Sequence, residues 1–348
     1  MELRTDARWA LVVPSSMGVR ITPDSGQPVH TSDHFRMQVT SAETNVASVP
    51  AFLGLPTKVL TAFVEGSPIA AMIKSNLRAR GMAFEGPAGP QGGAWGSGYG
   101  ARAPRVWNDR AGEVGCTLHV DDFDLERIFG VEGVQVLHLS GLIAALSPET
   151  SAFCLELARA AKRHGTAISF DLNYRASFWK GREAELAAAF HEIAAEADIL
   201  IGNEEDFQLC LGISGPEAGG HGIGDAIEGF TEMTGRIRAA FPKAKFIATT
   251  LREVINANRH LWGMIVFGDD AIHVAPLREI GVLDRIGGGD GSVGGLLYGI
   301  LKGWKAEQCM QFGWATGALA VASLNDYASP ADEDQVWAIW KGNARVQR

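Results

Sequence analysis

"DRIGGGDGSVGG", residues 284–295, sets three glycines ahead of one aspartate and runs directly into an apolar stretch, LLYGIL. Glycine tolerates positive φ and lets a ligand approach the backbone, and a helix N-terminus offers unpaired N–H groups at the positive end of its dipole. A turn through Gly287, Gly288 and Gly289 that enters a helix near Asp290 therefore forms a pocket for an anion, most naturally a phosphate. A carboxylate at the mouth of such a pocket repels the ligand unless its task is to take a proton. Phosphoryl transfer to a hydroxyl needs that combination: a base deprotonates the nucleophile while pre-aimed amides hold the charge of the transferring group. Other readings compete. GDGSVG, 289–294, satisfies the dinucleotide pattern GxGxxG, but that motif opens a first βαβ unit and expects an acidic residue some ~20 positions later. Here it lies late in the chain, and 308–324 hold no Asp or Glu. A Walker loop fails because no GK[ST] follows. An aspartate that only caps a helix after a flexible turn is the remaining alternative.

Outward from the signature, short apolar runs near 9–14, 58–63, 134–141, 167–173, 197–203 and 245–251 read as buried strands. Longer segments of helical period separate most of them. In SPETSAFCLELARAAKRHG, 147–165, Ser147 suits the cap, Pro148 the first turn and Gly165 the stop. Strand and helix alternating this way predict an α/β fold whose parallel sheet is covered on both faces. The C-terminal third reads as helices at 290–304, 306–324 and about 332–342. The glycine-rich stretch 86–100 leads into ARAPRVWNDRAGEVGCTLHV, 101–120, whose short alternating runs suggest antiparallel strands. That pair reads either as a connection into a small β appendage or as a plain loop. A second glycine-rich insert, 215–225, reads as a surface loop, and no internal repeat is present. The expectation is one domain over 1–348, with appendage segments near 14–40 and 86–122 inserted in it.

Composition narrows the function classes. With 46% hydrophobic and 20% charged residues, the 348-residue chain has ample material for a core, and disorder is not indicated. A net charge of −9 without a compensating basic run argues against nucleic acid or an anionic membrane surface as partner. An anionic substrate then needs a local basic pocket. Cys116, Cys154, Cys210 and Cys309 lie too far apart for a CxxC metal pair and read as buried fillers. The histidines receive no metal role. The start, MELRTDARWALVVP, lacks a signal-peptide apolar region, and no run reaches the ~18–20 apolar residues of a membrane span, which makes the cytoplasm the expected location.

DRIGGGDGSVGGLLYGIL resembles the C-terminal signature of the ribokinase-like (PfkB) carbohydrate kinases, and the DRIGGGD version is similar to their 2-keto-3-deoxygluconate kinase branch. The resemblance implies a three-layer αβα sandwich with a mostly parallel central sheet and a small β-sheet lid. It also implies ATP-dependent phosphorylation of a hydroxyl on a sugar or sugar acid. Gly287, Gly288 and Gly289 with the Asp290 amide are then the anion hole, and Asp290 activates the hydroxyl. FDLNYR, 170–175, is similar to a strand-end motif whose arginine contacts substrate or phosphates, a role that falls to Arg175. IGNEEDF, 201–207, resembles the NxxE motif that works through Mg²⁺ and its waters. Asn203 matches, but the fourth position is Asp206, so either Glu205 or Asp206 is the acidic partner. ATTLRE, 248–253, and the tail GNARVQR, 342–348, also look like this branch, and nucleotide contacts are expected from 245–283, with Thr250 and Arg252 as candidates, and from the helices after 306. LNDYASP, 324–330, puts Asp326 near the substrate, with Arg102 of the appendage as a further candidate. Asp284 orders the turn or a nearby monovalent cation such as K⁺. Relatives often dimerise through the lid, which makes a homodimer the implied assembly.

Taken singly, Arg175 also fits a surface ion pair, Asn203 a turn and Asp206 a helix cap. In order, at successive strand ends, they favour a site, because open α/β sheets bind ligands at the carboxyl ends of their strands. Trp95, Tyr99 and Trp107 suit either a cover over a ligand or the packing of the appendage.

The likeness weakens on the sugar side. Where the family has a glycine pair in a GGAExNVA-like stretch, this chain reads VTSAETNVA, 39–47; Thr40 and Ser41 replace the glycines, while Glu43, Asn45 and Ala47 persist. Thr40, Ser41 and Asn45 are the candidates for contact with the acceptor. Ser15 and Ser16 stand where relatives have a Gly-acid pair, EGSPIAA at 65–71 retains only Pro68 of a DNPxG-like stretch, and Ser292 stands at a usually bulky position. A mismatched polar pocket leaves groups buried and unsatisfied, which is costly. Two classes follow: a kinase for a sugar acid or altered acceptor, a nucleoside included, and a non-catalytic binding protein that kept the scaffold.

Overall fold

Apolar runs with no polar alternation become strands buried on both faces. In the computed structural model, which describes residues 1–89, 94–95, 113–216 and 223–343, nine strands line up in one sheet. From one edge the order is Ala271–Val274, Arg259–Gly268, Phe246–Asn256, Ile199–Ile201, Ala167–Asp171, Val134–Ser140, Trp9–Pro14, Thr57–Leu60 and Met82–Glu85. Every pairing from Phe246–Asn256 to Met82–Glu85 is parallel. Trp9–Pro14, Thr57–Leu60, Ala167–Asp171 and Ile199–Ile201 are buried at every position, as strands covered on both sides must be.

Helices supply the two covers. Pro148–Arg163, Glu183–Glu196 and Glu204–Leu211 pack Phe153, Leu157, Phe190 and Phe207 against one face, while Ala42–Phe52, Gly288–Leu301 and Ala306–Val321 pack Val46, Leu297, Phe312 and Ala315 against the other. Ser147 caps the first of these as its sequence predicts: its Oγ accepts the Thr150 N–H at 3.1 Å, and Gly165 leaves the helix at φ +72°. The glycines late in the signature serve contact between helices. A Cβ on Gly295 would stand 2.0 Å from Thr316 Oγ1, so that position admits no side chain.

The appendage is a small sheet in which Gly18–Pro23 pairs antiparallel with Phe35–Thr40, and Ala94–Trp95 runs parallel beside the first. The strands expected over 101–120 are not found at 113–122, where Val114–Thr117 and Val120–Asp122 are 3₁₀ turns. Local side-chain bonds explain the difference: the Thr117 hydroxyl donates to the Val114 carbonyl, and Asp122 accepts the His119 N–H, so turn chemistry overrides the alternation. Residues 101–112, and with them Arg102 and Trp107, lie outside the described residues, as do Tyr99 and the tail 344–348. Of the insert at 215–225, residues 217–222 lie outside, and 223–225 already belong to the helix Ile223–Ala240.

Two of the boundaries that differ from expectation bear on the site. The signature helix starts at Gly288, two residues before Asp290, because Gly287 alone makes the turn. The strand expected at 245–251 continues to Asn256 and returns as Arg259–Gly268 antiparallel to it. Arg278–Gly281 pairs with the start of that returning strand. Among the described residues no helix is long and apolar enough to cross a membrane.

Candidate active site

The carboxyl ends of the parallel strands open into a cleft of about 660 Å³, with the start of the signature helix at its floor. Gly287 occupies the left-handed region at φ +79°, and a Cβ there would lie 1.8 Å from the Asp326 carbonyl oxygen. Only glycine fits. Gly288 is packed under Val321 and Trp262, whereas Gly289 faces open space in the cleft. The first bond of the helix ladder runs from the Gly291 N–H to the Gly287 carbonyl at 2.8 Å. The amides of Gly288, Gly289 and Asp290 therefore occupy the first turn, where a helix has no carbonyl partners for them.

Asp290 sits beside those amides and lines the cleft. Its Oδ2 accepts from Asn45 Nδ2 at 2.9 Å, and the same Nδ2 lies 3.3 Å from Thr40 Oγ1. Burial pushes the Asp290 carboxyl up to about 7, against the hydrogen bond from Asn45 and the charge of Arg175, which pull the other way. A carboxyl so placed exchanges its proton near neutrality, which suits a general base.

Asn45 is presented by the helix Ala42–Phe52, and Ser41 is the cap of that helix. The Ser41 hydroxyl accepts the Thr44 N–H at 3.1 Å and lies 2.7 Å from Ser15 Oγ, inside a buried network in which Ser15 and Ser140 both reach the Glu43 carboxylate. The two serines that stand in for small or acidic residues are thus matched to each other.

The opposite wall comes from the ends of neighbouring strands. After Asp171 the chain turns through Asn173 at φ +42°, a conformation asparagine tolerates, and delivers Tyr174 and Arg175. Arg175 is exposed to the cleft, and its Nη1 donates to the Tyr174 carbonyl at 2.6 Å. Asn203 and Asp206 form a reciprocal capping box: Asn203 Oδ1 accepts the Asp206 N–H and Asp206 Oδ2 accepts the Asn203 N–H, each at 2.8 Å. Asp206 Oδ1 accepts the Tyr174 N–H as well, tying the two strand ends together. Burial raises the Asp206 carboxyl to about 6 and holds Asp171, with Asp206 and Asp290 nearby, well above the usual range. Glu205 is exposed at the same turn and also lines the cleft.

Thr250, Arg252 and Arg285 complete the lining beside Trp262. The Arg252 guanidinium reaches the water of the cleft yet stands between walls; burial, then Arg285, lowers it to about 10, with Arg175 acting in the same sense and Glu204 against. His260, buried behind the pair, is lowered to about 4 by burial and by the same two arginines.

Asp284 and Asp326 do not line this cleft. They grip Arg20, one carboxylate on each Nη, and all three side chains are buried. Asp284 Oδ1 also accepts the Ile286 N–H at 3.1 Å, which shapes the turn into the glycines.

A cleft with first-turn amides, a neighbouring carboxylate and three guanidinium groups is built for moving a phosphoryl group. Residues 121–333 match the family model described as pfkB family carbohydrate kinase. This chain belongs to that family. It is an ATP-dependent carbohydrate kinase, and the reading of a scaffold without activity is not favoured. Over 335 residues the kinase is 26% identical to 2-dehydro-3-deoxygalactonokinase of Haloferax volcanii, covering 95% of this chain and 96% of that protein. It superimposes on 2-dehydro-3-deoxygluconokinase from Thermotoga maritima with a TM-score of 0.87 and 26% identity, over 96% of this chain and 100% of that one. A putative ribokinase II from E. coli, solved in complex with ATP and Mg²⁺, shares the fold at 18% identity and a TM-score of 0.74, over 96% of this chain and 99% of that one.

Of the site residues expected from sequence, the kinase brings Thr40, Ser41, Asn45, Arg175, Asn203, Glu205, Asp206, Thr250, Arg252, Gly287, Gly288, Gly289 and Asp290 to one cleft. Asp284 and Asp326 are drawn off by Arg20, and Arg102 lies outside the described residues. Sequence reasoning missed Arg285, although it adjoins Asp284 in the signature itself. It also missed Arg20, a lone charge in the strand GVRITP whose partners are 264 and 306 residues away.

Proposed function

We propose that this kinase phosphorylates a hydroxyl of a sugar acid of the 2-keto-3-deoxygluconate kind, with Asp290 as the base. The observation that carries the assignment is the Asp290 carboxylate, fixed by Asn45 and adjoining the first-turn amides of the signature helix. The acceptor's O–H proton passes to Asp290 as the oxygen bonds the γ-phosphorus of ATP; the bond from that phosphorus to the bridging oxygen breaks and ADP leaves. The amides of Gly288, Gly289 and Asp290 hold the charge of the group in transit. Arg175, whose charge already acts on Asp290 and Asp206, serves as an electrostatic clamp, and Arg252 with Thr250 faces the nucleotide side.

Hard oxygen donors suit Mg²⁺, and Asp206 and Glu205 beside Asn203 are the residues that would hold it, through water. Among the described residues no three such side chains converge into a complete metal cage. Mg²⁺ would be carried there by one or two carboxylates together with substrate phosphates, and would neutralise the charge that develops on transfer. A monovalent cation near Asp284 is a poorer fit, since that carboxylate is already paired with Arg20 and bonded to the Ile286 amide.

The small sheet of Gly18–Pro23 and Phe35–Thr40, which brings Thr40 to the cleft, acts as a lid over the acceptor. Phe35 and Met37, exposed on alternate positions of one strand of the small sheet, support a homodimer through it. The decisive assay supplies Mg-ATP with a panel of sugar acids, neutral sugars and nucleosides. ADP release with sugar acids is expected; release with nucleosides alone, or with none, overturns the assignment.

A further inference from the structure

Arg20 is the one charged side chain of the strand Gly18–Pro23, yet it is buried, and both aspartates it binds are buried too. Each has a second connection to the catalytic floor. Asp284 accepts the Ile286 amide and so sets the approach to the glycine turn. Asp326 contributes the carbonyl against which Gly287 is packed, and the Thr40 hydroxyl beside its carboxyl favours the ionised form. Thr40 in turn accepts from Asn45, whose Nδ2 holds Asp290. From the small sheet to the base, the contacts are continuous.

Two buried carboxylates this close to each other repel, and each raises the energy of ionising the other unless a cation lies between them. The residue that supplies that cation is covalently part of the small sheet. We propose that Arg20 is a positioning residue that serves as the resident monovalent cation of this kinase: by binding Asp284 and Asp326 it ties the small sheet to the glycine turn and to Asp290, and it removes any need for K⁺ at Asp284. The kinetic half of this inference rests on the kinase assignment above; the cation half rests on the buried charges alone.

Removing one partner of a buried ion pair leaves an uncompensated charge, a change that is strongly destabilising. Wild type, Arg20→Met and Arg20→Lys are melted in KCl, NaCl and tetramethylammonium chloride at equal ionic strength, and their kcat and KM are measured in the same salts. Wild type is expected to melt and to turn over alike in all three. Arg20→Met is expected to melt several degrees lower, to gain stability specifically from K⁺ or from added guanidinium ion, and to recover part of its lost kcat with the same ions while KM for ATP changes less. Arg20→Lys keeps the charge but not the two-pronged grip, and is expected to fold with kcat reduced by about tenfold.

A wild-type enzyme whose melt or rate collapses when K⁺ is exchanged for tetramethylammonium overturns the inference. So does an Arg20→Met protein with unaltered melt and kcat. Should Arg20→Met not fold, the wild-type salt series and Arg20→Lys decide between the same two results. The melts answer this whether or not any acceptor in the panel is phosphorylated, so a failure of the kinase assignment is told apart from a failure here.

Discussion

The side-chain amide of Asn45 donates to Asp290 across 2.9 Å, joining the first helix of the chain to the helix of its C-terminal signature. The bond does two things at once. It fixes the rotamer of the carboxylate toward the cleft, and it favours the ionised form of a group that burial drives toward its neutral form. The carboxyl proposed as the base is therefore held near the middle of its titration range.

Asp290→Asn removes the base and keeps the shape. Loss of a positioned general base lowers rates by about 10²–10⁴, so kcat for the acceptor is expected to fall by at least a hundredfold with KM for ATP little changed. Stability moves the other way. In the folded chain the carboxyl is raised from 3.8 to about 7, so between those values the folded state holds a proton that the unfolded state has released, and its stability declines as pH rises through that window. At pH 8 the wild type carries this unfavourable charge and the variant does not. A melt a few degrees higher for Asp290→Asn at pH 8, with the difference vanishing toward pH 4, is the expected signature in calorimetry.

The pH profile follows from the same carboxyl. Because the base works only when deprotonated, kcat/KM should rise with pH through about 7 and be lost below it. Asn45→Ala deletes the hydrogen bond that favours the charged form, so the limb should move to higher pH, and the plateau should drop because the carboxylate is no longer oriented. A limb that stays in place in Asn45→Ala would show that the titrating group is not Asp290.

Gly287→Ala and Gly289→Ala separate folding from chemistry within one turn. At position 287 a Cβ meets both a left-handed backbone and the Asp326 carbonyl, so the variant should be markedly destabilised. At position 289 the added methyl points into open cleft. Gly289→Ala should melt like wild type while kcat/KM for ATP falls by about an order of magnitude, the methyl standing where amides meet the phosphoryl group.

How much of this was legible depends on the distance over which each residue acts. The signature was readable because its turn, amides and carboxylate lie within seven consecutive residues, and the parallel strands because their apolar runs are buried on both faces. The helix starts two residues before the expected position, since Gly288 and Gly289 count as breakers by composition but form its first turn, Gly288 packed and Gly289 facing the cleft. Strands expected at 113–120 gave way to turns held by Thr117 and Asp122, a local competition that alternation does not reveal. Arg20 had no sequence signal at all: one arginine among apolar neighbours becomes meaningful only when folding brings Asp284 and Asp326 to it.

Ser41 tests whether the residues replacing the family's glycines obstruct the acceptor. Its hydroxyl is turned into the helix cap and the Ser15 network, away from a role as obstruction. Ser41→Gly should therefore lose a few tenths of a kcal/mol to ~1 kcal/mol of stability, the usual consequence of losing a side-chain cap, and change kcat/KM for the acceptor by less than about threefold. A large gain in acceptor affinity, read by titration calorimetry, would show instead that the side chain blocks the sugar.

Arg175, Arg252 and Arg285 line one cleft; beyond burial, Arg285 and Arg175 lower Arg252, and Arg252 with Arg285 lowers His260. Like charges brought together in the unliganded protein are an unfavourable arrangement that a polyanion relieves. On the proposed reading, Arg285 of DRIGGGD and Arg252 meet the phosphate chain while Asp290 meets the hydroxyl. Arg252→Ala and Arg285→Ala should each raise KM for ATP by about tenfold and leave KM for the acceptor nearly unchanged, since loss of a charge-assisted hydrogen bond is worth about 1.5–3 kcal/mol at most. Neither should lower the melting temperature of the free protein, because removing one member of a like-charged set relieves repulsion; the wild type, by contrast, should gain more thermal stability from added ATP than either variant. If instead the acceptor's KM rises and ATP binding is untouched, the guanidinium pair faces the acid group of the sugar, and the two ends of the cleft exchange roles.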